Sequence, residues 1–459
     1  MHKVFSILLF LAMFDTRGLP QGSVTLAQPP IYIKEVASPD DIRSNRDRGN
    51  RILQEIKGVL KDRYYDKNFH GINVDARFKA AAEKIKSLQT NSEIFLTIAG
   101  LLIEFDDSHT RFYPPTRTNR VDYGFSMQMI GSNCFVTDVK NKSDAETKGL
   151  RVGDRIVSIG PTILKRENLW IVNYLIYSLI PQPSVQLSVV TPNGAERKID
   201  VVARVTTLEQ RLKLAEKRRN NKPKDPQRCQ ELDSSLVACR LDTFSVERKQ
   251  IDYMMAVASR YGKMILDLRG NRGGLVAIEE YLTGHFFDHD VKIADFVTRD
   301  KRLERIANPK KERNFKGELI VLIDSNSASA SEVFARVIQI EKRGKIVGDV
   351  SAGAVMTSNS ISLANVRGVT GFEKVFVFGL NVTVADLIMS DGQRLEKIGV
   401  LPDYPVGPTQ LALLNRTDPV LSYAANLLKV TITPEDAGKF NFLHKKDEDE
   451  EAETDEGEK

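Results

Sequence analysis

The stretch from Glu318 to Ile340 leaves few choices of fold. Glu318-Leu319-Ile320-Val321-Leu322-Ile323-Asp324 is an apolar run of strand length, and the small residues Ser325-Asn326-Ser327-Ala328-Ser329-Ala330-Ser331-Glu332 lead from it into a helical stretch through Ile340. The same pattern occurs upstream. Met264-Ile265-Leu266-Asp267-Leu268 ends in Arg269-Gly270-Asn271-Arg272-Gly273-Gly274, and a helical stretch follows through Tyr281-Leu282. Apolar runs bounded by turn residues are buried strands, and strands alternating with helices build an α/β layer. Residues 236–430 are therefore read as one α/β domain.

A strand, a sharp turn of small residues and a helix together form the setting of a nucleophile elbow. Small neighbours let one serine protrude at a helix N-terminus, where unpaired N–H groups and the helix dipole favour negative charge. The run Ser327 to Glu332 fits this setting, and the glycine-rich turn Gly270–Gly274 can bring a further N–H close. Two such donors make an oxyanion hole, worth about 3–4 kcal/mol per donor.

The preceding regions have a different character. Ile52, Leu53, Ile56, Val59 and Leu60 make an amphipathic helix over 51–65, and a second runs from an N-cap at Ser92 to Phe105. Residues 28–120 are thus a helical N-terminal region. Residues 121–205 are β-rich, with Phe135–Val139, Arg155–Ile159 and Val185–Val190 as strands and turns such as Pro192-Asn193-Gly194. Residues 206–235 read as a basic linker. It holds seven Lys/Arg between Lys213 and Arg228 and no aromatic residue for base stacking, so no nucleic-acid partner is expected.

The ends are read as lying outside the fold. Lys3 and the apolar stretch Val4–Phe14, with Thr25-Leu26-Ala27 before Gln28, have the form of a secretory signal over 1–27, cleaved on export to a periplasmic or extracellular space. No apolar run of membrane-spanning length follows it. Residues 431–459 are read as a C-terminal segment ending in a disordered acidic tail. From Lys445 on, nine Asp/Glu face three Lys, so the rest of the chain carries +11 of the total +5. Export permits disulfides. Cys229 and Cys239 can close a small loop or stay reduced, and Cys134 is left over. His285 and His289 have the i, i+4 spacing of metal ligands, but no third ligand is evident, so neither a metal nor another cofactor is expected.

Several motifs carry a family resemblance. Ala145–Gly160, AETKGLRVGDRIVSIG, resembles a PDZ stretch, and Tyr123-Gly124-Phe125-Ser126 stands where a PDZ domain binds a peptide's C-terminal carboxylate. With Asp106-Asp107-Ser108-His109-Thr110, DLRGNRGG at 267–274, SASASE at 327–332, Gly348–Gly353 and DGQRLEKIGVLPD at 391–403, the chain resembles the carboxy-terminal processing (tail-specific) peptidases and tricorn proteases. The resemblance implies an α+β multidomain protein with a helical N-terminal region, a PDZ domain and a crotonase/ClpP-like ββα catalytic core. It implies a serine endopeptidase acting on polypeptides, with room for an oligomer. Ser329 matches the nucleophile, and the N–H groups of Ala330 and of Gly273 or Gly274 match the oxyanion hole.

The processing-peptidase branch takes its base from a lysine inside Gly-Lys-Gly, where this chain has Gly353-Ala354-Val355. Lys342 and Lys345 lie on the wrong element. The tricorn-like branch uses Ser-His-Ser-Glu, matched by Ser108, His109, Ser329 and Glu396, with Asp386 and Asp391 as weaker candidates for the acid. An ordinary histidine would then place the acid limb of activity near about pH 6–7. The missing lysine also supports a reading from another class: a catalytically inactive peptide- or apolar-ligand-binding protein on the same scaffold.

Overall fold

The computed structural model describes residues 39–115, 120–213, 227–311, 314–369, 372–440 and 442. The expected leader, most of the basic stretch 213–228 and the acidic tail lie outside these residues.

Three helices open the chain: α1 (Pro39–Arg63), α2 (Val74–Ile85) and α3 (Asn91–Ile103). Ile52, Leu53, Ile56 and Leu60 recur at helical spacing and are buried against Ile94, Ile98, Leu102 and Phe105. The first helix begins at Pro39 rather than Arg51. Its polar first turns carry no apolar stripe, yet Gly49 packs so close to Ile94 that a Cβ would stand 2.5 Å from Ile94 Cγ2. The cap of α3 is Thr90, not Ser92. Thr90 Oγ1 accepts Glu93 N–H at 3.2 Å and Glu93 Oε2 accepts Thr90 N–H at 2.9 Å, a capping box.

The chain then forms β1 (Arg111–Tyr113) and a β-rich unit of β2 (Phe125–Ile130), β3 (Asn133–Val139), β4 (Arg155–Ile159), α4 (Leu169–Tyr174), β5 (Ser184–Val190) and β6 (Glu196–Val202). The strands lie in the order β2-β3-β4-β5-β6, with Thr162–Ile163 paired to β4. Val136, Ile156, Leu187 and Val172 share its core. Arg120–Asp122 pairs with Arg204–Thr206, so the unit enters and leaves at one place.

Next come β7 (Gln227–Glu231), β8 (Leu236–Leu241), α5 (Arg248–Ala258), β9 (Lys263–Asp267), α6 (Val276–Thr283), β10 (Val291–Thr298) and β11 (Arg302–Ala307). They are followed by β12 (Glu318–Ile323), α7 (Ala330–Ile340), β13 (Lys345–Gly348), β14 (Thr357–Val369), β15 (Phe372–Met389), β16 (Tyr404–Pro405) and α8 (Pro419–Leu427). One sheet runs β7-β8-β9-β12-β13-β16, parallel from β8 to β16. Alternate strand residues feed two layers: Val237, Leu266 and Val321 meet α5, α6 and α7, whereas Ala238, Ile265 and Ile320 meet α8. Within the stretch expected as linker, Gln227–Glu231 is thus a strand. It places Cys229 opposite Cys239 in register, and their sulfurs are bonded at 2.06 Å. Cys134 is buried and unbonded.

A second, antiparallel sheet, β1-β15-β10-β11 with β14 on β15, was not legible as a sheet in the sequence. It positions the site, because Arg111 pairs with Asn381 of β15 and so holds the chain just after His109 against the α/β domain. Among the described residues no helix is long and apolar enough to cross a membrane.

Candidate active site

β12 ends at Ile323 and α7 starts at Ala330, so the small-residue run between them forms the turn. Ser329 is its sharpest point, with φ 57° and ψ −120°, a conformation that costs a non-glycine residue about 1–3 kcal/mol. Glu332 over-determines it. This carboxylate is fully buried and accepts four hydrogen bonds: Ser329 N–H at 2.9 Å, Ala354 N–H at 2.9 Å, Gly353 N–H at 2.7 Å and Ser351 Oγ–H at 2.6 Å. Burial outweighs these donors and pushes its carboxyl up to about 7.

The glycine turn closes over the serine. A Cβ on Gly273, whose φ is 90°, would stand 2.7 Å from Ser329 Cβ, so only glycine fits. Of the two expected donors, Gly273 N–H is already taken, donating to Asn271 Oδ1 at 2.9 Å. The Gly273 carbonyl accepts from Phe244 N–H and Thr243 Oγ–H. In a trans peptide the next N–H, that of Gly274, points the opposite way. Gly274 N–H and Ala330 N–H make no hydrogen bond among the described residues. Of the two glycines, only Gly274 therefore has an N–H without a partner among the described residues. Asp324 anchors both turns, since its Oδ1 accepts from Gly270 N–H (2.8 Å) and Ser327 N–H (3.0 Å). Gln128 of the β-rich unit donates to its other oxygen at 2.7 Å.

Glu396, Ser108 and His109 form a line. Glu396 Oε2 accepts the Ser108 hydroxyl at 2.9 Å, and Ser108 Oγ lies 2.6 Å from His109 Nδ1. With the Ser108 hydroxyl donating to Glu396, Nδ1–H donates to Ser108 Oγ and Nε2 keeps its lone pair, the tautomer of a base. Burial holds the His109 imidazole down, to about 4, and Arg111 adds to this while Asp107 opposes it. Burial also raises Glu396. Asp107 fixes the backbone beneath, accepting His109 N–H at 2.9 Å, Thr110 N–H at 2.6 Å, the Tyr64 hydroxyl at 2.9 Å and the Thr383 hydroxyl at 2.7 Å. Asp386 and Asp391 are engaged elsewhere, by Arg394 and Arg336.

Residues 354 and 355 bridge the two halves. Ala354 O accepts Ser329 N–H at 2.9 Å, and Val355 N–H donates to Glu396 Oε2 at 3.1 Å. No hydrogen bond joins Ser329 to His109 among the described residues. Lys342 and Lys345 are exposed beyond the far end of α7, at least about 16 Å along its axis from Ser329. Lys397 pairs with Asp106.

The segment Tyr123–Ser126 is placed at the start of the edge strand β2. Tyr123 is buried, and its hydroxyl donates to Gln182 O at 2.9 Å. Gly124 N–H donates to Asp122 Oδ1 at 2.9 Å. Phe125 is buried and Ser126 exposed. His285 and His289 do not share a helix, because α6 ends at Thr283. His285 is buried beside Asp252, and the exposed His289 bonds Asp288.

Sequence reading missed Glu332 and Asp107. Glu332 carried a signal, an acid three residues after the helix N-cap serine. Asp107 did not, because its partners Tyr64 and Thr383 are remote in sequence.

Residues 237–406 match the family model of peptidase family S41. The chain is 25% identical over 386 residues to the chloroplastic C-terminal processing peptidase of Tetradesmus obliquus, covering 76% of this chain and 75% of that protein. It is 21% identical over 328 residues to the carboxy-terminal processing protease CtpA of Bacillus subtilis (strain 168), covering 67% and 64%. The solved structure of mature CPAF has the same fold, with a TM-score of 0.63 over 85% of this chain and 97% of that one at 14% identity. The chain thus carries a peptidase family S41 domain over residues 237–406 and is similar along most of its length to C-terminal processing peptidases.

Proposed function

We propose that the protein is an exported endopeptidase that cleaves polypeptides through an acyl-enzyme on Ser329, with His109 as base in the tricorn-like manner. Ser329 Oγ attacks the scissile carbonyl carbon and its proton passes to His109 Nε2. Ala330 N–H and Gly274 N–H receive the oxyanion. As the tetrahedral intermediate collapses, His109 gives the proton to the leaving amine and the C–N bond breaks. Water, deprotonated by His109, then adds to the ester, and Ser329 leaves with the proton returned. Ser108 and Glu396 hold the imidazole and stabilise its charged form.

The observation that carries this reading is the Glu396–Ser108–His109 line, which Val355 N–H ties to the elbow through its neighbour Ala354. The Cys229–Cys239 bond supports export, since disulfides persist in oxidising compartments. Ser329→Ala is expected to abolish peptide cleavage while leaving the fold intact. Full cleavage by that variant would end the reading. The missing Ser329–His109 bond favours the second reading, a silent binding protein. An intact chain that cleaves nothing and reacts with no fluorophosphonate would establish that one.

The β-rich unit is proposed to act as a PDZ domain that captures a peptide's C-terminus along the outer edge of β2, beside Tyr123–Ser126. Asp122, which holds Gly124 N–H, is the competitor such a carboxylate must displace, and it favours the rival reading of a brace. Free-acid peptides are expected to bind more tightly than amidated ones, and equal binding would leave the unit a brace.

A further inference from the structure

We propose that Glu279 is a specificity residue: in the wall of the cleft beside Ser329, it recognises a glutamine side chain on the acyl side of the scissile bond. This rests on Ser329 being the nucleophile. The cleft opens against Ser329 and Ala330. Val276, Ile293, Phe296, Val333 and Leu387 make its walls apolar. A carbonyl carbon attacked by Ser329 Oγ lies one bond from its Cα, so the neighbouring side chain enters this space.

Glu279 is out of place among such walls. It is 2% exposed, its Oε1 accepts the Thr283 hydroxyl at 2.9 Å, and its Oε2 takes part in no hydrogen bond among the described residues. Burial pushes its carboxyl up to about 8, with Glu280 raising it and Arg305 lowering it, so near neutral pH it is a carboxylic acid that both donates and accepts. A carboxamide has the matching acceptor and donors. An ammonium would lose its hydration among apolar walls and face the Arg305 guanidinium, which lines the same cleft and is itself paired with Glu280. A leucine side chain would fill the walls and leave the carboxyl unmatched.

The test uses the full chain and three peptides differing only in the residue before the cut: glutamine, leucine or lysine. Wild type is expected to cleave the glutamine peptide with kcat/KM about tenfold or more above the others, the scale of one buried hydrogen bond against an unsatisfied group. Glu279→Leu should erase that advantage while cleaving the leucine peptide at least as well, which also shows that the variant folds. Glu279→Gln should retain it. Equal cleavage of glutamine and leucine peptides by wild type would overturn the assignment, as would preference for lysine, an advantage that survives Glu279→Leu, or selectivity on the leaving-group side. If wild type cleaves nothing and a fluorophosphonate leaves Ser329 unlabelled, the nucleophile reading fails and takes this proposal with it. A labelled Ser329 without glutamine preference sinks the Glu279 role alone.

Discussion

Glu396 holds Ser108 by two atoms at once: Oε1 accepts its backbone N–H at 2.8 Å and Oε2 its hydroxyl at 2.9 Å. The carboxylate thereby fixes both where Ser108 stands and where its proton points, and so which nitrogen of His109 is left free to take the proton in the proposed mechanism.

Changing either partner should slow the chemistry more than it weakens binding. Glu396→Gln and Ser108→Ala are each expected to lower kcat at least about 10-fold with little change in KM, because they mis-set the imidazole without touching substrate. Steady-state kinetics on one peptide measures the split. A rise in KM at constant kcat would remove both residues from the catalytic line.

The pH profile should depart from that of a solvated histidine. The active form is the neutral imidazole, and burial lowers its proton affinity to about 4. The expected kcat/KM is therefore flat from pH 7 down to about 5 and falls tenfold per unit below about 4. A limb at pH 6–7 that persists in Glu332→Gln would mean that water reaches His109, because the buried Glu332 carboxyl of the elbow, raised to about 7, titrates in the same range.

The elbow and the glycine turn were readable because they are local: a strand, small residues and a helix adjoin within a few positions at Ser329 and again at Gly273. The cysteine pair was left open by the sequence, since ten residues of spacing do not reveal that β7 and β8 place Cys229 and Cys239 opposite one another. That Gly273 N–H is already committed, to Asn271, was likewise not readable from the glycine run alone. The second sheet was illegible because β15 joins β1, β10 and β14 from distant parts of the chain, and only tertiary pairing shows its role in delivering His109.

Glu332 should be indispensable to the elbow. Glu332→Ala removes one acceptor from four donors and leaves them buried, which is expected to cost about 3 kcal/mol or more of unfolding free energy. Urea unfolding measures it, and a loss under about 1 kcal/mol would mean that water replaces the carboxylate.

Arg269 ties the glycine turn to α8. Its guanidinium bonds Asp267 and both oxygens of Asp418, all three side chains being buried. Arg269→Met would leave Asp418 no cation and Asp267 only the Arg240 guanidinium at 3.4 Å, and is expected to destabilise the protein by about 3 kcal/mol, again by urea unfolding. An unchanged midpoint would show that the carboxylates are protonated or hydrated without the arginine.

The assignment of a histidine base stands or falls on labelling by a fluorophosphonate, mapped by mass spectrometry, in wild type, His109→Ala and Lys397→Ala. Label is expected on Ser329 alone, largely lost in His109→Ala and retained in Lys397→Ala. Label on Ser327 or Ser331, or a His109→Ala protein that labels at the wild-type rate and is silenced by removing Lys397, would contradict it.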